Sequence, residues 1–372
     1  MKRRKHGGIP SYIPVTLLTA IFLLCLGCRI DSSALPRWFS RLGQNEAFVT
    51  DAIALELGVL PQLSLDNGQI QTEPNQERSE DTSTWQALLS ESSYVPAVQS
   101  GEAPAYGKPD SRYPVKERKI TTKTGAGCLN AQGVSLHNQS GLAVDLNQML
   151  KDPVSISLDQ KGEVEVFLLH THASEAYTPD SAYAYTPSDN IRSHDTRFNV
   201  VRVGDEIASV LEDMGIGVAH CREILDDPSY TGSYNRAMSV INQQLKKTPS
   251  VKVIIDIHRD AMIAADGTSY KVVTELNGQK CAQLMLVMGT NAGGLTHDHW
   301  RTNLNFAVNL QKQINASYDG LMRPINVRRQ RFNEQATTGS MLLEVGTSGN
   351  TLSEALVSAR YFAKVLGETL TT

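Results

Sequence analysis

Residues 168–177, LLHTHASEAY, place His170, His172 and Glu175 within six positions, directly after the apolar run VEVFL. Two other apolar runs end in the same manner. VIIDI leads into His258, Arg259 and Asp260, and SMLL leads into Glu344, Val345 and Gly346. Imidazoles and carboxylates arriving from three strand ends form the donor set of a catalytic Zn2+ site, because neutral imidazoles bind the ion while one coordination position stays open. The ion lowers the pKa of water to about 7, and a carboxylate outside its shell can take that proton and pass it to a leaving amine. Glu344 suits the proton-transfer role, since a carboxylate inside an apolar strand almost never goes unpaired.

Each candidate also has a plainer reading. A lone histidine ending a buried strand, as His258 does, is ordinarily a satisfied core residue. Asp256 and Asp260 beside it weigh against this, because burying so many polar groups without a function is costly. His194, in IRSHDTRFNVV, stands just before a predicted helix as a candidate third ligand, with an ordinary loop histidine as its rival and Asp195 as a helix cap. His297 and His299 form an H-x-H pair in THDHW, but no strand precedes them, which fits a solvated loop. Ser174 could join His172 in acyl transfer, yet no G-x-S-x-G elbow surrounds it.

The elements that must position these groups follow from periodicity. EVEVFLL (163–169), IGVAHC, VKVIIDIH (251–258) and GSMLLEVG read as strands, and YKVVTEL and CAQLMLVMG flank Asn277-Gly278, a hairpin signal. Helical spacing groups Leu142, Leu146, Met149 and Leu150, then Ile207, Val210, Leu211 and Met214 up to Gly215, then Met238, Ile241 and Leu245. Two more helices are expected over 302–318 and in the closing SEALVSARYFAKVLGETL. Strands alternating with helices predict an α/β domain over 134–372, with a largely parallel twisted sheet flanked by helices. Sites in such sheets form at the carboxyl ends of strands.

Upstream, a basic flank at 2–5 precedes an uncharged segment from 9 to 28, about long enough to span a bilayer with the flank in the cytoplasm. Residues 1–30 are thus expected to be a membrane anchor, with a cleaved signal peptide or a lipoprotein signal at Cys28 as rivals. This places the chain at the cell membrane, single-pass, with its domain outside the cytoplasm. Residues 31–61 form a juxtamembrane segment, with a helix expected over 38–60. Residues 62–133, rich in Gln, Glu, Ser, Thr, Pro and Gly, form an expected flexible stalk. The 35 basic and 39 acidic side chains nearly balance, so no global field favours nucleic acid. Beyond the anchor, Cys128, Cys221 and Cys281 make neither a disulfide framework nor a CxxC pair, so zinc would be held by histidine and carboxylate.

HTHASEAY, FNVVRVGDEIASVLEDMGI, DIHRDA and MLLEVG, in this order and at these separations, resemble stage II sporulation protein P, the membrane-anchored peptidoglycan amidase family of endospore formers. The resemblance covers roughly residue 134 to the C-terminus. It implies an amidase-like fold and a zinc-dependent N-acetylmuramoyl-L-alanine amidase, cleaving the amide between the glycan's lactyl group and the stem peptide. Endopeptidase cleavage of peptide cross-links is also associated with the family. It further implies a role in septum thinning and engulfment beside sporulation proteins D, a lytic transglycosylase, and M, a membrane protein.

The wider amidases hold zinc with His, Glu and His and use a second Glu as base. Carried over by position, this implies His172 (alternatively His170) and His258 as ligands and Glu344 as the catalytic carboxylate. The middle ligand departs from the pattern. Where the wider amidases place a Glu before the helix at 198–214, this chain has His194 and Asp195, so His194 is the candidate and Glu175 the alternative. Two rival readings are a non-catalytic wall-binding or scaffolding module and a zinc peptidase confined to cross-links.

Overall fold

The structure, a computed structural model, describes residues 114–158, 163–183, 185 and 191–371. The expected anchor, the juxtamembrane segment and the stalk up to residue 113 lie outside the described residues. Among the described residues no helix is long and apolar enough to cross a membrane.

In chain order the elements are β1 (Val115–Arg118), β2 (Cys128–Ala131), β3 (Val134–Asn138), α1 (Leu146–Met149), β4 (Val164–Leu169), α2 (Val200–Asp213), β5 (Gly217–His220) and α3 (Ser233–Lys247). There follow β6 (Val253–Asp260), β7 (Ser269–Leu276), β8 (Gln279–Ala282), β9 (Leu284–Met288), α4 (Trp300–Ser317), β10 (Ile325–Val327), a 3-10 turn (Glu334–Ala336), β11 (Gly339–Thr347) and α5 (Leu352–Thr371). The main sheet has the order β2-β3-β10-β9-β11-β6-β4-β5, and β1-β7-β8 form a smaller one. In the main sheet β11, β6, β4 and β5 are mutually parallel neighbours. β9 lies antiparallel to β11, and β2 to β3. The β7–β8 hairpin, turning at Asn277 and Gly278 with positive φ, leads into β9 through Gln283 alone. No crossover helix feeds β9, and only a crossover can set successive strands parallel.

Strand alternation divides the core. Leu168, Ile255, Ile257, Leu343 and Val345 join the larger cluster with α2, α4 and α5, whereas Phe167, Leu169 and Ile254 join a smaller one with Ala237 and Ile241 of α3. The same parity sends Asp256, His258 and Glu344 to the α3 side. α2 forms where the periodicity predicts, burying Val200, Val203, Ile207 and Leu211. Asn199 caps it by accepting from Val201 N at 2.9 Å, and Gly215 ends it at φ +79°.

The folded domain begins earlier than the pattern boundary at residue 134. β1 pairs with β7 and β2 with β3, so residues from Val115 onward that read as stalk carry strand structure. Four-residue strands without a fully buried residue have no apolar face to betray them. Gln283, fully buried at the corner between the two sheets, accepts from Ile120 N at 2.7 Å and donates to Ile120 O at 2.9 Å and Gly320 O at 2.8 Å. Replacing Gln283 by Ala is expected to cost about 2 kcal/mol, because buried backbone groups lose their partners. Denaturant unfolding measures the cost, and faster proteolysis near residue 120 should accompany it.

Candidate active site

The carboxyl ends of β4, β6 and β11 meet on one rim. Glu344 stands opposite His258 in register, and Leu169 opposite Asp256. Just past β4 the chain turns, with Glu175 N donating to His172 O at 3.0 Å. That turn brings Glu175 Oε2 to 3.3 Å from His258 Nδ1, while Asp256 Oδ1 lies 3.0 Å from His258 Nε2. The rings of His172 and His258 meet edge to face with centroids 5.3 Å apart. His172, Glu175, His258 and Glu344 are all fully buried.

Neighbouring groups hold this arrangement. Asp256 accepts from Thr171 N at 2.8 Å and from Thr171 Oγ1 at 2.6 Å, tying the β4 loop to β6. Arg259 N donates to Glu175 Oε2 at 2.9 Å, which leaves Glu175 Oε1 free. Ser233, in the first turn of α3, sits 3.3 Å from His172 Nδ1, and Tyr230 stacks flat on the His172 ring at 4.1 Å.

Burial dominates the electrostatics. It lowers His172 well below the usual histidine range, with His258 and two arginines adding to the effect, so this ring is neutral. Burial opposes charge on His258 too, but the Asp256 and Glu175 carboxylates outweigh it and raise that pKa well above the ordinary value. Glu175 is raised by burial. Glu344 is raised much further, by burial and then by Asp260.

A zinc ion can be tested against the unpaired atoms. His172 Nε2 and Glu175 Oε1 are buried without hydrogen-bond partners, as are both Glu344 oxygens, whereas the two His258 nitrogens face Glu175 and Asp256. Two imidazoles and a carboxylate are a donor set zinc accepts, with Glu344 left over. As the side chains stand, no three such groups among the described residues form a closed metal cluster. The donor chemistry of His172, Glu175 and His258 fits the ion.

The remaining sequence candidates lie elsewhere. His170 points to the opposite face, where Nδ1 donates to Ile257 O at 3.0 Å and Nε2 lies 2.8 Å from His220 Nε2. Gly204 of α2 leaves room for this pair, since a Cβ there would fall 2.8 Å from His170 Nε2. His194 is exposed on its loop and joins none of the buried groups, so Glu175, not His194, stands with the two histidines. The loop explains this: Asn199 takes the capping position and Asp195 binds Arg197, leaving His194 turned to solvent.

His297, read as part of a solvated loop, is fully buried; His299 is exposed. His297 Nε2 lies 4.0 Å from Glu334 Oε2. Tyr230, Ser233 and Tyr234 carried no signal in the sequence, because only the approach of α3 to the β4 loop brings them to His172.

Burial, then His299 and Arg331, pushes His297 down from 6.5 to about 4. Its contribution to stability is therefore present above pH about 6.5 and is lost as pH falls toward 4. Replacing His297 by Gln is expected to remove on the order of 3 kcal/mol of acid sensitivity over that window. Unfolding free energies of both proteins at pH 7 and pH 4.5 measure it, and parallel slopes would contradict it.

Residues 63–367 match the family described as Stage II sporulation protein P. The Stage II sporulation protein P of Bacillus subtilis (strain 168) is 27% identical over 229 residues, which is 59% of this chain and 53% of that protein. The match thus spans about half the length of the curated relative. Among solved structures, the N-acetylmuramyl-L-alanine amidase Ami1 of Mycobacterium smegmatis is 14% identical with a TM-score of 0.34, covering 57% of this chain and 96% of its own. The N-acetylmuramoyl-L-alanine amidase of Clostridium difficile 630 is 16% identical with a TM-score of 0.32, covering 56% of this chain and 95% of its own. With a family match over most of its length, this chain belongs to the stage II sporulation protein P family.

Proposed function

We propose that the chain is a zinc-dependent peptidoglycan hydrolase of sporulation, cleaving the amide between N-acetylmuramic acid and L-alanine. One observation carries this reading: three parallel strand ends deliver His172, Glu175, His258 and Glu344 to one buried spot, where His172, Glu175 and Glu344 keep unpaired donor or acceptor atoms. Family membership supplies the cell-wall context. We extend the proposal to anchoring in the cell membrane through residues 1–30, with the catalytic domain outside the cytoplasm, and to action in septum thinning and engulfment beside sporulation proteins D and M.

The residues divide the work. His172 Nε2, Glu175 Oε1 and one nitrogen of His258 would hold the ion. Ser233 at His172 Nδ1 and Asp256 at His258 Nε2 orient the rings, as partners behind metal ligands commonly do. Bound there, zinc supplies Lewis acidity toward the carbonyl and an acidified water.

Glu344 moves the proton. As a carboxylate it takes the proton of the attacking water and releases it to the departing amine nitrogen as the C–N bond breaks. The products are a carboxylic acid and a free amine. Burial strengthens each of these interactions.

Two substitution experiments test the reading. Glu344→Gln should leave zinc bound and abolish release of stem peptide from purified sacculi; retained hydrolysis would sink the proposal. Glu175→Ala should lower zinc content strongly, whereas His194→Ala should leave it at the wild-type level. Metal analysis of the purified variants reads the second pair, and the reverse pattern would restore His194 as the ligand.

A further inference from the structure

Tyr234 lies in the first turn of α3, directly after Ser233, and its ring meets His172 edge-on with centroids 5.5 Å apart. Its hydroxyl is buried and has no hydrogen-bond partner. Nearby tyrosines differ in this respect: the Tyr177 hydroxyl donates to Val345 O at 3.1 Å, and the Tyr185 hydroxyl to Tyr177 O. A buried, unpaired O–H destabilises a fold, so its retention beside the site calls for another partner.

Neighbouring residues flank the ring and hold its backbone. Phe332 packs 6.0 Å from it, and Asn333 Nδ2 donates to Tyr234 O at 2.7 Å. Both Phe332 and Asn333 adopt positive φ, +48° and +59°. Left-handed backbone at two consecutive non-glycine residues is strained, and such strain persists only where surrounding contacts enforce it. The charges of Asp256, Glu344 and Glu175 reach the Tyr234 hydroxyl, yet none of these carboxylates accepts its hydrogen.

We propose that Tyr234 is a catalytic residue, donating its phenolic hydrogen to the oxygen of the scissile carbonyl as that oxygen gains negative charge. The inference rests on the hydrolase reading above and adds a named donor to it. A phenol is protonated at neutral pH and needs no proton transfer to act. Such a donor strengthens as charge develops, so it accelerates the chemical step more than it tightens substrate binding. The amino end of α3, whose N-cap Gly232 offers no side-chain cap, adds partial positive charge beside it.

The test compares full-length wild type, Tyr234→Phe and Glu344→Gln on purified sacculi, together with zinc content and melting temperature. Tyr234→Phe should lower kcat about 100-fold with KM within about threefold, as removal of one oxyanion donor does. Zinc content should stay unchanged, and the melting temperature unchanged or slightly raised. Wild-type kcat in Tyr234→Phe, beside an inactive Glu344→Gln, would overturn the role of Tyr234 and leave the hydrolase reading standing. Loss of zinc or of thermal stability in Tyr234→Phe would overturn it in favour of a structural role. A wild-type protein that releases nothing from sacculi would remove both readings.

Discussion

The imidazole of His258 is buried between the carboxylates of Asp256 and Glu175, and the rest of the site is built around that contact. A charge taken out of water is tolerated only where opposite charge and hydrogen bonds surround it. Each carboxylate is therefore fixed in turn: Asp256 by both polar groups of Thr171, and Glu175 by the amide of Arg259. The next acidic group along β6 follows the same rule, with Asp260 buried against Arg323 at 2.7 Å. These bonds tie the β4 loop to β6 and so settle where His172 can stand.

The second layer of control comes from α3 and the segment before it. Arg192 reaches Asp226 at 2.8 Å and covers the Tyr230 ring, while Asp226 also binds Ser174. Arg236 donates to the carbonyls of Leu225 and Ser229. The loop that lays Tyr230 on His172 is thus braced by two arginines, and α3 follows with Ser233 and Tyr234 already in position. Precision of this kind matters for hydrolysis, because misplacing a reacting group by about 1 Å can cost 100-fold in rate.

Much of the fold was legible in the sequence. The apolar runs before His170, His258 and Glu344 are strands, the Asn277-Gly278 hairpin formed, and α2, α3, α4 and α5 lie where helical spacing placed them. Hydrophobic periodicity reports burial, and these elements each bury a full face. β1, β2 and β10 escaped notice because three or four residues hold no readable period. CAQLMLVMG, read as one hairpin strand, is β8 and β9 in two different sheets. The antiparallel direction of β9 against β11 was not legible because strand direction depends on the route of the chain between strands, not on the residues within one.

By itself the sequence determined which groups could do chemistry and at which strand ends they would emerge, since type and alternation are local properties. The tertiary structure decided which of them meet. The parity of β4 turned His170 toward α2, and the turn past the end of β4, rather than alternation, brought His172 to face His258. One turn of chain put Glu175 where His194 had been a candidate, and His297 went into the interior because a loop without periodicity gives no sign of what folds over it. Partners such as Tyr234 become visible only once α3 is packed on the sheet, because contact between segments distant in sequence depends on the whole fold, and no local pattern encodes it.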